Sequence, residues 1–374
     1  GDLIGEGASE EKAVVGQTPN LAARLQGLAQ PNEVVVAPAT QTPIDGLFHF
    51  TPLGAQHLKG FADAIVPYRV NGATGLRRSF DISARRGLSA LVGREIEIDL
   101  LMRRWQQAKD GEGQVVLLSG EAGIGKSRIV YALRERLEGQ RYRRIRYQGS
   151  PFHQSSALFP VADELVRASR IESTDSPEQK REKLDAILLN VEPGFEAERG
   201  LLMRLLDIND GDPGMDPATH IDPALIREET LSLITRFLAR TAEQIPLLIH
   251  LEDAHWIDPS TVELFHRIIE MCQYHRMLVV VSFRPHFVPP WESYSHLSQL
   301  TLNRLSRNDT QRLIQSLSQS EPLPEWMFNQ ILEKTDGIPL FVEELTKAVL
   351  THARPAPATS PGACTSRAPY ATRC

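Results

Sequence analysis

The spacing of apolar residues changes character twice along this chain. Between residues 91 and 350, continuous apolar runs alternate with stretches in which apolar residues recur every three or four positions. The runs at 114–119, 142–148, 246–251 and 277–283 read as strands, the apolar ones among them buried on both faces. Helical spacing falls between them at 126–138, 222–243 and 259–274. This alternation predicts an α/β fold with a mostly parallel sheet covered on both sides. Two more periodic segments, 307–319 and 323–335, predict a small helical lid after the sheet. Residues 1–72 read as a separate, smaller α/β piece. Its helix, 19–29, carries Leu21, Ala22, Leu25 and Leu28 on one face, and its strands fall at 33–36, 48–52 and 65–70. Residues 73–90 lack periodicity and read as a linker. Residues 351–374, rich in Pro, Ala, Thr and Ser, read as a disordered tail or a frameshifted terminus.

Composition narrows the function classes. The net charge of −6 is spread along the chain, so no bulk attraction to nucleic acid or membrane is expected. Only three cysteines occur, two of them in the last eleven residues, which argues against a disulfide framework and fits a reducing cytoplasm. No apolar run approaches the roughly 18 residues of a membrane span. The chain opens at Gly1 in what reads as mid-domain, so a fragment of a longer protein is expected.

The chemistry concentrates after the first apolar run. Gly120, Glu121, Ala122, Gly123, Ile124, Gly125, Lys126 and Ser127 fit G-x-x-x-x-G-K-[ST], with Arg128 next in the helix. The glycines let the loop turn its N–H groups inward, where they and the following helix N-terminus cradle phosphate. Lys126 is placed to reach the β- and γ-phosphates of ATP, and the Ser127 hydroxyl to bind Mg²⁺. Strand, phosphate loop and helix follow one another in the order this pattern needs.

A phosphate loop also needs a carboxylate on a neighbouring strand. Leu247, Leu248, Ile249 and Leu251 form such a strand, with Glu252 and Asp253 at its C-terminal end. One carboxylate is expected to hold the metal, a place given to Asp253. The other is expected to orient the attacking water, and the order of the two roles stays open. Arg284 ends the next strand, either as a cation contacting the γ-phosphate or as a solvated strand end. Asp258-Pro259 reads as a helix N-cap followed by Pro at the first helical position.

These motifs, with the SFRP segment at 282–285, Gly337-Ile338-Pro339-Leu340 and Leu91-Val92-Gly93-Arg94-Glu95, resemble the STAND class of signalling ATPases within the AAA+ group. The resemblance covers about residues 91–350. It implies a nucleotide switch reset by slow hydrolysis, with Val92 near the adenine and Pro339 touching the nucleotide from the lid. It also implies an unidentified protein or small-molecule signal. STAND proteins usually continue into a winged helix and a repeat-containing sensor, and neither is visible.

Residues 14–30 (VVGQTPNLAARLQGLAQ), the segment from Leu53-Gly54 to Gly60, and Pro67-Tyr68-Arg69-Val70 resemble the closing part of a class III nucleotidyl cyclase catalytic domain. The expectation is therefore a C-terminal remnant of that α+β domain, able to form a homodimer. The resemblance gives Asn20 and Arg24 the role of stabilising charge at phosphorus, one helical turn apart. The plainer reading has Asn20 capping the helix and Arg24 solvated. Ala13 stands where many cyclases read the base. The family's two metal-binding aspartates lie upstream of this region and are absent, so no cyclic nucleotide is expected from this chain by itself. Joined to a STAND ATPase, such a remnant resembles the soluble adenylyl cyclases and their bacterial relatives.

Three other patterns read as structural. Lys334-Thr335-Asp336 follows a helical pattern and reads as a helix end rather than a guanine reader. His266, Cys272 and His275 match no usual zinc spacing. Arg134, Arg136, Arg141, Arg143, Arg144 and Arg146, interrupted by Glu135 and Glu138, read as a solvated helix end and strand start rather than a nucleic-acid patch.

Overall fold

The computed structural model describes residues 2–4, 13–15, 17–46, 48–61, 63–73, 88–172, 174–191, 195–208, 222–291, 294–318 and 323–353. Two compact units result, Gly1–Ser89 and Ala90–Cys374. Most of the expected linker, and the expected tail beyond Ala353, lie outside the described residues.

In the first unit, β1 (Asp2–Ile4) and β2 (Ala13–Val15) pair antiparallel. Helix α1 runs Gln17–Gln26. It starts two residues before the predicted position, because Pro19 is tolerated in a first turn. Asn20 is therefore inside the helix and does not cap it. Strand β3 (Val34–Val36), helix α2 (Pro38–Ile44), β4 (Phe48–Pro52) and β5 (Tyr68–Ala73) follow, with antiparallel order β3-β5-β4. Strand β5 begins later than predicted: Ile65 makes an isolated bridge to Gln56, and Pro67 has no N–H to give a ladder. Leu25, Ala37 and Leu58 form the small core.

The second unit contains α3 (Glu95–Lys109), β6 (Gln114–Ser119), α4 (Lys126–Arg136), β7 (Arg143–Gln148), α5 (Phe159–Ser169), α6 (Pro177–Leu189) and α7 (Arg199–Leu205). Then come α8 (Pro223–Gln244), β8 (Leu247–Glu252), α9 (Pro259–Cys272), β9 (Met277–Phe283), β10 (Leu297–Thr301), α10 (Arg307–Leu317), α11 (Glu325–Thr335) and α12 (Pro339–Ala353). The sheet order is β10-β6-β9-β8-β7, with every neighbouring pair parallel. Strand β9 thus separates the strand that feeds the phosphate loop from the strand that carries the acids.

Alternate residues of each central strand enter opposite cores, which is why those strands are apolar throughout. Val115, Leu117, Ile249 and Val279 pack with Ile234, Leu264 and Phe265 on one side. Val116, Leu118, Leu248 and Leu278 pack with Leu101, Trp105, Ile129 and Leu133 on the other. The lid helices α10, α11 and α12 keep a core of their own, with Leu313, Ile314, Ile331 and Val342 closed by Val92 and Leu305. Helix α12 continues through Ala353, into the segment expected to be disordered. No helix of the described residues is long and apolar enough to cross a membrane.

Candidate functional site

Strand β6 delivers the chain into the loop at Gly120, whose N–H donates to the Phe283 carbonyl at 3.2 Å. Gly123 and Gly125 take left-handed φ values of 77° and 104°, which only glycine adopts without strain. Gly125 is the N-cap of α4. The helix has no side-chain cap and no acid in its first turn, so its leading N–H groups are left for an anion. The Lys126 ammonium lies back over the loop, donating to the carbonyls of Gly120 (2.7 Å) and Glu121 (2.9 Å). Burial lowers its pKa, and Arg284 lowers it further, while Asp253 and Glu252 oppose the shift. These four side chains therefore share one electrostatic neighbourhood, with Arg284 half-buried at the end of β9.

Glu252 closes β8 and is buried. Its carboxylate accepts a hydrogen bond from the Ser127 hydroxyl and faces the Arg146 guanidinium, with Nη2 at 3.0 Å and Nε at 3.2 Å. Arg146 reaches it from β7, where Gln148 is in register with Glu252. Asp253 leaves the strand with a φ of 55° and opens a short 3₁₀ turn over Ala254–Trp256. The acid in contact with Ser127 is thus Glu252; the sequence expectation gave the metal to Asp253 and left the order of the two roles open. Arg146 departs from the solvated cluster too: its side chain is only 15% exposed. Gly149 lets the next turn approach, since a Cβ there would stand 2.3 Å from the Asp253 carbonyl oxygen.

His255 follows on the 3₁₀ turn, its ring centroid 5.5 Å from that of His286. Burial, then Arg284, His286 and Lys126, push its pKa down to about 4, so its ring is neutral at physiological pH.

The lid closes over the loop. The Leu340 N–H, one residue after Pro339, donates to the Gly123 carbonyl at 3.2 Å. Arg304 holds both Glu121 carboxylate oxygens (3.0 and 3.1 Å) and pairs with Asp336. Arg94, buried, donates to the carbonyls of Asn303 (2.6 Å) and Ile124 (3.3 Å). Val92 packs into the lid core rather than standing open. Arg128 sits over the Tyr131 ring and pairs with Glu135 at 3.1 Å, so its guanidinium is engaged along α4. Asn20 and Arg24 are exposed on α1 of the other unit. Lys334 and Thr335 end α11, and Asp336 is its left-handed C-cap. His266, Cys272 and His275 take separate partners: the Tyr294 hydroxyl, the Gln114 and Met277 carbonyls, and the Met271 carbonyl.

Sequence reading gave Arg304 and His255 no place at the site and set Arg146 in a solvated cluster. The alternation in RRIRYQ does set Arg146 on the face opposite Ile145 and Tyr147. Nothing local marks its partner, 106 residues away.

A phosphate loop on a five-stranded parallel sheet with an attached helical lid defines a nucleotide-binding ATPase domain. Residues 90–281, more than half of the 374, match the AAA ATPase domain family, and the chain belongs to it. An uncharacterized protein of Rhizobium meliloti (strain 1021) is 28% identical over 360 residues, covering 94% of this chain and 34% of that protein. The chain therefore spans about a third of that relative's length. Among solved structures, similarity extends to a signal transduction ATPase with numerous domains (STAND) that carries a tetratricopeptide repeat sensor, from Pyrococcus horikoshii. It shows a TM-score of 0.37 and 13% identity over 72% of this chain and 33% of that one. The Orc1 protein of Aeropyrum pernix, solved with DNA, gives a TM-score of 0.41 and 15% identity over 72% and 63%.

Proposed function

We propose that the second unit binds ATP with Mg²⁺ and hydrolyses it slowly, as a switch whose lid position depends on the nucleotide. The observation that carries this reading is the convergence of Ser127 and Glu252. Ser127 comes from the first turn of α4 and Glu252 from the end of β8, and they meet where a phosphate-loop metal would sit. The donor set fits the ion, since a hydroxyl and a carboxylate are hard oxygen ligands. Mg²⁺, when bound, supplies positive charge to the phosphate oxygens. Ser127 and Glu252 would hold it. Lys126 exchanges its two carbonyl partners for phosphate oxygens. Asp253 orients the attacking water, and Arg284 faces the γ-phosphate, so that its loss is felt at β9.

The first unit is read as the closing part of a class III cyclase domain. In the longer protein, nucleotide state in the second unit then governs cyclic nucleotide formation in a homodimer, in response to a signal that this chain does not identify. The support is the sequence resemblance together with an exposed Asn20–Arg24 pair one turn apart on α1. The test of the ATP site is binding of fluorescent ATP with Mg²⁺ to wild type and Lys126→Ala, with GTP as competitor. Saturable binding that is lost in the variant and resists GTP is expected. Equal signals from both proteins would overturn the reading.

A further inference from the structure

A cavity of about 330 Å³ lies away from the phosphate loop, between β7 and helices α5, α6, α7 and α8. Its walls are apolar, with Tyr147, Val161, Leu184, Ile234 and Phe237 among them. Its polar lining is unbalanced. Glu164 is already paired with Arg167. Arg143 and Arg144 open β7 at the cavity wall, and the Arg143 guanidinium makes no hydrogen bond or ion pair with the described residues. An apolar chamber with a surplus cation suits an amphipathic anion. The volume is large enough for a medium-length acyl chain with its carboxylate at the wall.

The cavity is also wired to the phosphate site. Arg167, on the cavity helix α5, donates to the Arg146 carbonyl at 3.3 Å, and the Arg146 guanidinium holds Glu252. A chain of contacts therefore connects α5 with the acid that meets Ser127. We propose that this cavity binds a medium-chain carboxylate, its head group on Arg143, and that its occupancy changes the affinity of the phosphate loop for Mg²⁺–ATP. The second half rests on the ATP reading above, and the first half does not.

The test is isothermal titration of the full chain with decanoate, without nucleotide, beside decyltrimethylammonium, which has the same tail and the opposite charge. Decanoate is expected to bind saturably and the cation not to bind. Arg143→Gln should weaken decanoate about tenfold, through loss of a charge-assisted contact. Ala168→Trp, at an exposed lining position, should plug the cavity and abolish binding without repacking the core. Equal binding of both amphiphiles, or decanoate binding that survives in Ala168→Trp, would overturn the site. Mg²⁺–ATP affinity is then measured with and without decanoate. A change of about fivefold is expected in wild type and none in Arg167→Gln. An unchanged ATP affinity with decanoate bound would overturn the coupling. A chain that binds decanoate but no ATP would refute the ATP reading alone.

Discussion

Glu252→Gln separates the roles of the two strand-end acids, because it keeps the side chain's shape and removes only its charge. The carboxylate is 5% exposed and serves both Ser127 and Arg146. A hydrogen bond to a charged group is worth roughly 1.5–3 kcal/mol, and ~1.4 kcal/mol is tenfold in affinity. The Mg²⁺-dependent part of ATP affinity should therefore fall about ten- to hundredfold. The same change leaves the Arg146 charge without its partner. Breaking a buried pair outright costs about 3–5 kcal/mol. The amide oxygen of Gln still accepts from Arg146, so a loss of about 1–3 kcal/mol is expected in urea unfolding. Asp253→Asn should behave differently. Asparagine tolerates the left-handed backbone at this position, so the fold is kept. Turnover should drop by about 10²–10⁴ if Asp253 orients water. ATP affinity should hold or rise, since a negative charge beside the phosphates is gone. Fluorescent-ATP binding across a Mg²⁺ series, with single-turnover hydrolysis of both variants, reads the two effects apart. The reverse pattern, with Glu252→Gln trapping ATP and Asp253→Asn losing metal dependence, would refute the assignment drawn from the Ser127 contact.

Three further outcomes are expected. Gly123→Ala forces a residue at φ 77° and sets its Cβ 3.1 Å from Leu340, so about 1–2 kcal/mol of strain should weaken ATP binding about tenfold, with partial recovery when Leu340→Ala is added. Asp258→Ala removes one carboxylate oxygen that accepts from the N–H groups of Leu158, Ser260 and Thr261, each at 3.0 Å, and should lower stability in urea by about 2–4 kcal/mol; a loss under a few tenths would show that water replaces the cap. Burial pushes the Cys272 thiol from 9.0 up to about 12, so in a Cys364→Ser, Cys374→Ser background it should resist thiolate reagents until the chain unfolds. The unfolded thiol ionises first, so this group subtracts stability as pH rises from 9.0 towards about 12, and labelling at the rate of a free thiol in the native state would contradict the burial.

The parts of this structure legible in the sequence are those in which local pattern and tertiary environment agree. Strands β6 and β9 fall where the apolar runs put them, at 114–119 and 277–283, because both faces of each are buried. Strand β10 escaped notice for the opposite reason. Its sequence LSQLT has neither a continuous apolar run nor a period-two alternation, it lies at a sheet edge, and its strand character comes from pairing with Val115 to Ser119, far away in sequence. Helices α5, α6 and α7 likewise gain their meaning from packing beside β7. In the site, the loop is legible because its function is local: glycines, a lysine and a serine at fixed offsets. The choice between Glu252 and Asp253 is not local. It depends on a strand crossover that brings residues 125 apart into contact, and on whether the chain enters left-handed backbone one residue before or after the acid.

The lid follows from the same division between inside and outside. Its own helices are joined by buried apolar residues, so they form one packed body. Its ties to the loop are of another kind. Arg304, Glu121 and Asp336 are 44%, 46% and 70% exposed, and exposed pairs of this sort are worth about 0–1 kcal/mol each. One backbone hydrogen bond, Leu340 to Gly123, adds about 1 kcal/mol. The buried anchor is Arg94, which donates to the carbonyls of Ile124 in the loop and Asn303 at the lid's base. A lid held at one edge by a few weak contacts and fixed at the other by a buried arginine can be tipped by a ligand worth only a few kcal/mol. On the proposed reading, that is the order of the differential contact a γ-phosphate would make with Lys126 and Arg284.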